Sequence, residues 1–133
     1  IAGLVSITAG PDLTNHLMSI IIGGFGGVLV VIAIPLLDRL KIDDVVGAIS
    51  AHLVAGIWGT LAVGIFGAGD IMVQIIGILA IGVFVVVTSS IVWLVLKYTV
   101  GIRANEEDED MGLDSAELGL EAYPEFGRGS QRA

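Results

Sequence analysis

Hydrophobic residues run in long, almost uninterrupted blocks through the first hundred residues, and most charged residues lie between the blocks. An α-helix needs about 20 apolar residues to cross a hydrocarbon core of ~30 Å. A block at residues 1–10 has half that length, and because it starts inside an apolar run and without Met, we interpret it as the end of a longer helix and the chain as a fragment. Three longer blocks predict membrane-spanning helices at about 19–37, 45–68 and 71–98.

The composition is that of a membrane protein. Hydrophobic residues make up 55% of the 133 residues and charged residues 15%, with a mean hydropathy of +0.94, which is more apolar than a typical soluble domain. Arg39 and Lys41 follow the first long block, Lys97 and Arg103 follow the last, and the two remaining loops contain no Lys or Arg. The positive-inside rule therefore predicts that the 38–44 loop and the C-terminus are cytoplasmic.

The composition changes at Gly101, after which the chain is acidic. Residues 101–133 carry nine acidic and three basic side chains, and so hold most of the formal net charge of −8. We predict a transmembrane region over 1–100 and a cytoplasmic tail over 101–133. The acidic run 106–110 should be repelled by an anionic inner leaflet, and we interpret it as a solvated linker. Nucleic acid is excluded as a partner because its recognition requires a basic patch.

A short helix is predicted after the acidic run. Asp114 and Glu117 have the spacing of a capping box, and Leu113 and Leu118 have that of a hydrophobic staple, so the helix should start near Ser115. It is too short to be stable alone. Four apolar side chains are therefore expected to dock on a protein surface, either in this chain or in a neighbouring subunit: Leu118, Leu120, Tyr123 and Phe126.

His52 is the one ionisable side chain inside the second long block, and such a group is costly in a membrane helix. Small residues recur at steps of four from Ala48 through His52 to Gly64, and small residues mark the faces on which membrane helices pack. The stripe predicts that His52 points into protein rather than lipid. Two interpretations stay open: His52 lines a conduction or proton-relay path, or a neighbouring helix satisfies the imidazole.

Other site chemistry has little support in the sequence. A metal centre would need further ligands, and no second His, acid or Cys stands at ligand spacing from His52. No phosphate loop and no hydrolytic triad is recognisable, so we predict a non-enzyme without cofactor or metal. Asp43 and Asp44 precede a helix start, where a carboxylate caps free amides, and a cap accounts for one of the two. Trp58 is interpreted as a packing or interface residue rather than a ligand platform.

The segment from Lys41 to Phe66, KIDDVVGAISAHLVAGIWGTLAVGIF, resembles the penultimate helix of the ammonium transporter family (Amt/Mep/Rh). The stretch TVGIRANEE at 99–107, and the stretch from Gly112 to the EAYPEF segment at 121–126, are similar to that family's cytoplasmic C-terminus. The resemblance covers essentially the whole chain. It implies an all-α polytopic bundle, of which this chain is the C-terminal part: the end of helix 8 through helix 11 of an eleven-helix fold, with the acidic tail.

The resemblance implies a role for His52. In that family two histidines from different helices face each other in a narrow apolar pore, and His52 matches the second of them. Ammonium is recognised at an outer vestibule, loses its proton, and crosses as ammonia along the imidazoles, with Ala48 lining the same pore. Asp44 matches a structural aspartate at the helix start, and the first histidine is expected upstream of Ile1.

The resemblance also implies partners and location. They are ammonium or ammonia, membrane lipid, two further copies in a homotrimer, and a PII-type regulatory protein at the cytoplasmic face of the bacterial inner membrane. Val45 stands where the family commonly has Pro, and Leu118 and Leu120 replace a common His and Glu, so tail contacts are expected to differ. The tail residues that match the family motif are Gly112, Leu113, Asp114, Glu121 and Tyr123.

Two functions from different classes fit these features. The first is transport of ammonium for nitrogen uptake; the second is an ammonium sensor of the same fold that signals through the tail. A sensor usually carries an appended signalling domain, and no such domain is recognisable in the sequence after Phe126, which favours transport. A secondary transporter with broken helices fits less well, because no unwound midplane segment is evident.

Overall fold

The computed structural model describes residues 1–12, 15–67 and 69–124. Within those ranges the regular elements are all helical. The chain divides into two compact units, residues 1–86 and 87–133.

Six α-helices and one π-helical segment make up the described part of the chain. They are α1 (Ala2–Thr8), α2 (His16–Arg39), the π segment (Ala48–Val54), α3 (Ala55–Phe66), α4 (Ile71–Thr99), α5 (Glu106–Met111) and α6 (Leu113–Leu118). Three continuous helical stretches are long and apolar enough to cross a membrane: His16–Arg39, Ala48–Phe66 and Ile71–Thr99. The expected fold class, an all-α polytopic bundle, is confirmed.

Helix α2 is longer at both ends than the apolar block that predicted it, because polar groups hold its ends. At its start the Asn15 side chain accepts a hydrogen bond from a backbone N–H of the first turn at 3.0 Å, as an N-cap does. At its end Ile42 donates to the Leu37 carbonyl and Lys41 to that of Asp38, each at 3.0 Å. Lys41 adopts a left-handed conformation there, with φ 56°, which completes a Schellman motif.

Helix α1 packs against α2 and α3 through small side chains. A Cβ built at Gly3 would lie 3.1 Å from the carbonyl oxygen of Gly23 in α2. The Ser6 side chain is 1% exposed, and its hydroxyl donates within α1 at 2.9 Å and lies 3.4 Å from the Ala55 carbonyl oxygen of α3. Close backbone approach of this kind holds membrane helices together. The half-length block at residues 1–10 is therefore central to the packing of this unit.

Two glycines make room for Ser6. A Cβ at Gly26 of α2 would collide with the Ser6 side chain, and a Cβ at Gly59 of α3 would collide with the Ser6 carbonyl oxygen. Nothing lies within 4 Å of a Cβ built at Gly24 or Gly27 of α2. The contact with α1 therefore restricts side-chain size at some glycines of α2 and leaves others unrestricted.

Trp58 connects α3 to α2. Its indole N–H donates to the Ile22 carbonyl at 3.0 Å, and its ring centroid lies 4.6 Å from that of Phe25, with the planes tilted by 51°. An indole N–H away from water needs an acceptor, and the carbonyl provides one. These contacts fit the interpretation of Trp58 as a packing residue.

Helix α4 is the longest helix of the described chain, with 29 residues, and none of them is buried. Apolar side chains dominate every side of it, so it presents no continuous polar face to water. Its surface therefore suits lipid or other membrane helices.

We expect Gly59→Ala to destabilise the membrane unit, because the new methyl group meets the Ser6 backbone, which cannot rotate away. Overpacking of this kind costs about 1–3 kcal/mol. Gly27→Ala is the matched control, since it has open space and alanine is the better helix former by about 1 kcal/mol. Thermal unfolding in detergent compares the two variants, and equal Tm values would contradict the close crossing of α1 and α3.

Candidate functional site

His52 lies in the π segment, whose seven residues are wound more widely than an α-helix. Gly47 precedes the segment in the left-handed conformation, with φ 72°, which glycine adopts without steric cost. The helix therefore starts at Ala48 rather than at about residue 45, and its first turns are not the regular α-helix that the sequence predicted. π-Helical turns are rare and often occur at functional sites.

The Asp44 carboxylate holds the start of the π segment. One oxygen accepts the Ile49 N–H at 2.9 Å, and the other accepts the N–H and the hydroxyl of Ser50, both at 2.8 Å. The N–H donors of Ile49 and Ser50 stabilise the charged carboxylate, and they hold the pKa of Asp44 below its ordinary value of 3.8. Asp43 is exposed, so of the two predicted aspartates Asp44 is the one that caps the helix.

The buried residues of the π segment and α3 are unevenly spaced, at successive steps of five, four and three residues. Steps of four and three keep to one face of an α-helix, and a step of five fits the wider π turn. His52 and Ala48 are both exposed. The buried residues, in chain order, are Ser50, Ala55, Gly59 and Ala62.

The stripe of small residues at steps of four is therefore not the packed face of this helix. That prediction assumed a regular α-helix from Ala48 to Gly64, and the π turn shifts the register at its start. The packed face runs through Ser50 and Ala55 instead, and the exposed side carries His52 next to Leu53, which is 55% exposed. That His52 points into protein stays a prediction.

The described residues contain no group of three or more His, Cys, Asp or Glu side chains that could hold a metal ion. His16, the other histidine of the chain, is the first residue of α2 and is exposed. In the described chain, the exposed side of the π segment therefore carries one side chain that can exchange a proton, the His52 imidazole. The methyl group of Ala48 lies one turn before it.

The tail contains α5 and α6. The acidic run that was interpreted as a linker forms α5, and its four acidic first-turn residues lie at the positive end of the helix dipole. Arg103 pairs with Glu109 at 3.2 Å on the surface. Helix α6 begins at Leu113, two residues before the predicted start at Ser115.

Asp114 links α6 to the segment that follows it. One carboxylate oxygen accepts the Ser115 N–H at 2.9 Å, and the other accepts the Ala122 N–H at 2.7 Å. Gly112, with φ 95°, occupies the N-cap position, so the predicted capping box of Asp114 and Glu117 is wrong. The backbone donors, Ala122 first, lower the pKa of Asp114 from its ordinary value of 3.8.

The other tail residues singled out from the sequence lie around this carboxylate or on the surface. Gly112 is the N-cap residue of α6, and Glu121 directly precedes Ala122, whose N–H the carboxylate accepts. The exposed apolar residues of the tail include Leu113, Leu118, Leu120 and Tyr123, and Phe126 lies outside the described residues. Within the described part of the chain, the apolar side chains predicted to dock are therefore not covered.

Comparison with known proteins identifies the family. The profile of the Ammonium Transporter Family matches residues 1–123. The chain belongs to the ammonium transporter family. This confirms the family expected from the Lys41–Phe66 segment and the tail.

Relatives of this ammonium transporter family member are found in archaea and bacteria. Amt1 of Haloferax mediterranei is 37% identical, over 95% of the chain and 26% of that protein. Amt2 of Methanocaldococcus jannaschii is 37% identical, over 94% of the chain and 32% of that protein. An ammonium transporter of Mycobacterium tuberculosis is 31% identical, over 92% of the chain and 30% of that protein.

The chain thus spans about a quarter to a third of the length of these curated relatives. No solved structure matches it significantly. Family membership, together with three helices long and apolar enough to cross a bilayer, makes it an integral membrane protein.

We expect Asp44→Asn to loosen the π segment of this family member. The carboxamide has one acceptor oxygen where the carboxylate has two, so it cannot accept from all three donors of Ile49 and Ser50. Hydrogen exchange at residues 49 and 50 should become faster and the Tm should fall. Asp43→Asn changes the neighbouring exposed carboxylate and should match the parent; equal protection in both variants would contradict the role of Asp44.

We expect the tail to loosen in acid through Asp114. Because folding lowers the pKa of Asp114, its hydrogen bonds contribute stability in full above pH 3.8, and this is lost as the pH falls through the lowered value. The amide NMR signal of Ala122 reports the loss, and Asp114→Asn should reproduce the acid spectrum at neutral pH. Glu117→Gln is the control. An Ala122 signal that is unchanged in Asp114→Asn would rule out the contact.

Proposed function

We propose that the full-length protein carries ammonium across the membrane and that His52 and Ala48 line the path. Relatives named as ammonium transporters support the substrate. The observation that carries the proposal is the exposed position of His52 on an otherwise apolar helix. An ionisable side chain in a membrane helix is energetically costly, and for that reason it indicates a functional site.

The packing of the helix supports this role. One face of the π segment and α3 is covered by α1 and α2, and Ser50 and Ala55 lie on that face, whereas His52 does not. Because ionisable side chains are costly against lipid, the open side at His52 is expected to meet protein or a path through protein. The chain spans 26% and 32% of the length of two of these relatives, and we propose that helices outside this sequence complete that side.

The chemistry of imidazole suits the passage of ammonia. Neutral imidazole has one N–H donor and one nitrogen acceptor, so it can hydrogen-bond a small polar molecule in an apolar passage. An ammonium cation would lose its hydration there at high cost, whereas neutral ammonia loses far less. We therefore propose that ammonium gives up its proton to water at the entrance of the path, before it reaches His52. A second histidine, on a helix outside this sequence, would face His52, and Ala48 would keep the path narrow.

The proposal extends to the assembly and orientation. We propose a homotrimer in the bacterial inner membrane with a cytoplasmic C-terminus, and the basic residues Arg39, Lys41 and Lys97 support that orientation. The tail is a candidate contact for a PII-type regulatory protein, because α5 and α6 give it a defined shape and leave Leu118 and Tyr123 exposed.

We expect His52→Ala to abolish or alter methylammonium uptake by cells that produce the full-length protein. Removal of the imidazole deprives the path of its polar contact. A fall of about tenfold or more is expected, which corresponds to a barrier higher by ~1.4 kcal/mol. Uptake is normalised to the amount of protein in the membrane, and His16→Ala is the matched histidine control.

Unchanged uptake and selectivity in His52→Ala would contradict the path. A parent protein that moves no methylammonium, but whose tail changes its protease sensitivity when ammonium is added, would favour the sensor function instead.

A further inference from the structure

We infer that Ser50 is a positioning residue for His52. Its hydrogen bonds to Asp44 hold the π segment in the register that keeps the imidazole out of the packed helix contact. The inference deepens the proposed function and rests on the role of His52 in the path.

A regular α-helix would orient His52 differently. His52 stands three residues before Ala55 and seven before Gly59, and both spacings share a face in an α-helix. Ala55 and Gly59 are buried where α3 meets Ser6 of α1. A regular helix would therefore carry His52 toward that contact. In the structure Ser50 takes the inner position, with 2% exposure, and His52 is exposed.

Two anchors require the longer step. At one end the Asp44 carboxylate holds the N–H and the hydroxyl of Ser50 at 2.8 Å each. At the other end α3 lies against the backbone of α1: Ala55 is 0% exposed, and a Cβ built at Gly59 would collide with the Ser6 carbonyl oxygen. Four residues lie between Ser50 and Ala55. In an α-helix at most three residues lie between two residues that share a face one turn apart. The π turn accommodates the additional residue.

The Ser50 hydroxyl makes this register specific. It is a third donor to a carboxylate that already accepts two backbone N–H groups. If the segment rewound as an α-helix, Ser50 would leave its position beside Asp44, and a buried hydroxyl that loses its acceptor is unfavourable. A hydroxyl at position 50 therefore favours the π turn over the α-turn.

Two changes in the full-length protein test the inference. Ser50→Ala removes the hydroxyl, and deletion of Ala51 shortens the step from Ser50 to Ala55 so that an α-turn fits. Misplacement of a group by about 1 Å can cost up to about a hundredfold in rate. On that basis we expect methylammonium uptake per transporter in the membrane to fall about fivefold in Ser50→Ala and about tenfold or more in the deletion.

Ser6→Ala is the matched control. It removes the hydroxyl of an equally buried serine, 1% exposed, which bonds to backbone carbonyls and not to Asp44. It leaves the backbone contact between Ser6 and Gly59, which anchors α3, unchanged. We expect its uptake per transporter to equal that of the parent, even if less protein reaches the membrane. A loss of uptake per transporter as large as that of Ser50→Ala would assign both serines a general packing role and overturn the inference.

Labelling at position 52 reports the direction of the side chain without transport. The chain has no cysteine, so His52→Cys adds one thiol to it, and any cysteine elsewhere in the full-length protein is replaced by serine. We expect N-ethylmaleimide to modify that thiol several times more slowly in the Ser50→Ala and Ala51-deleted proteins, and at the parental rate with Ser6→Ala. Equal rates in all four proteins would overturn the inference. Parental uptake in His52→Ala would refute the path alone, because labelling still reads the register.

Discussion

The close approach of α1 to α2 and α3 at Ser6 is the constraint on which the membrane unit depends. The Ser6 hydroxyl is satisfied within its own helix and lies beside the Ala55 carbonyl, while Gly26 and Gly59 leave the space that Ser6 occupies. Between membrane helices the hydrophobic effect supplies little attraction, and close packing replaces it. The volume of a few side chains at the crossing therefore decides which faces of the helices meet.

The π segment follows from this crossing and from the cap at Asp44. The crossing fixes Ala55 and Gly59 on the inner face, and the cap fixes Ser50 there as well. A regular helix cannot bring residues five apart to the same face, so the chain widens by one residue between them. The exposure of His52 is thus a consequence of two contacts in which His52 takes no part.

The number of membrane helices and the fold class could be predicted from the sequence, because the bilayer sets the length of an apolar helix. The packed face of α3 could not, because periodicity arguments assume one helical pitch throughout. The apolar pattern of Ala48 to Phe66 is equally compatible with a helix that contains a π turn and with a regular α-helix. The signal that the sequence does contain is the set Asp44, Gly47 and Ser50. The glycine between the two polar residues allows the carboxylate to reach the serine. In the tail, the capping-box spacing was misleading because Gly112 occupies the N-cap position.

Two aspartates perform one physical task in different parts of the chain. Asp44 and Asp114 each lie within three residues of a glycine with positive φ, Gly47 or Gly112, where the backbone turns and leaves N–H groups without helical partners. A carboxylate accepts on two oxygens, and so it can satisfy donors on two sides at once, whereas a serine hydroxyl or an amide has a single acceptor oxygen. Both pKa values lie below 3.8 for that reason, and both groups are charged at neutral pH. The negative charges of Asp44 and Asp114 therefore stabilise the local backbone structure. His52 has no such structural role in the described part of the chain.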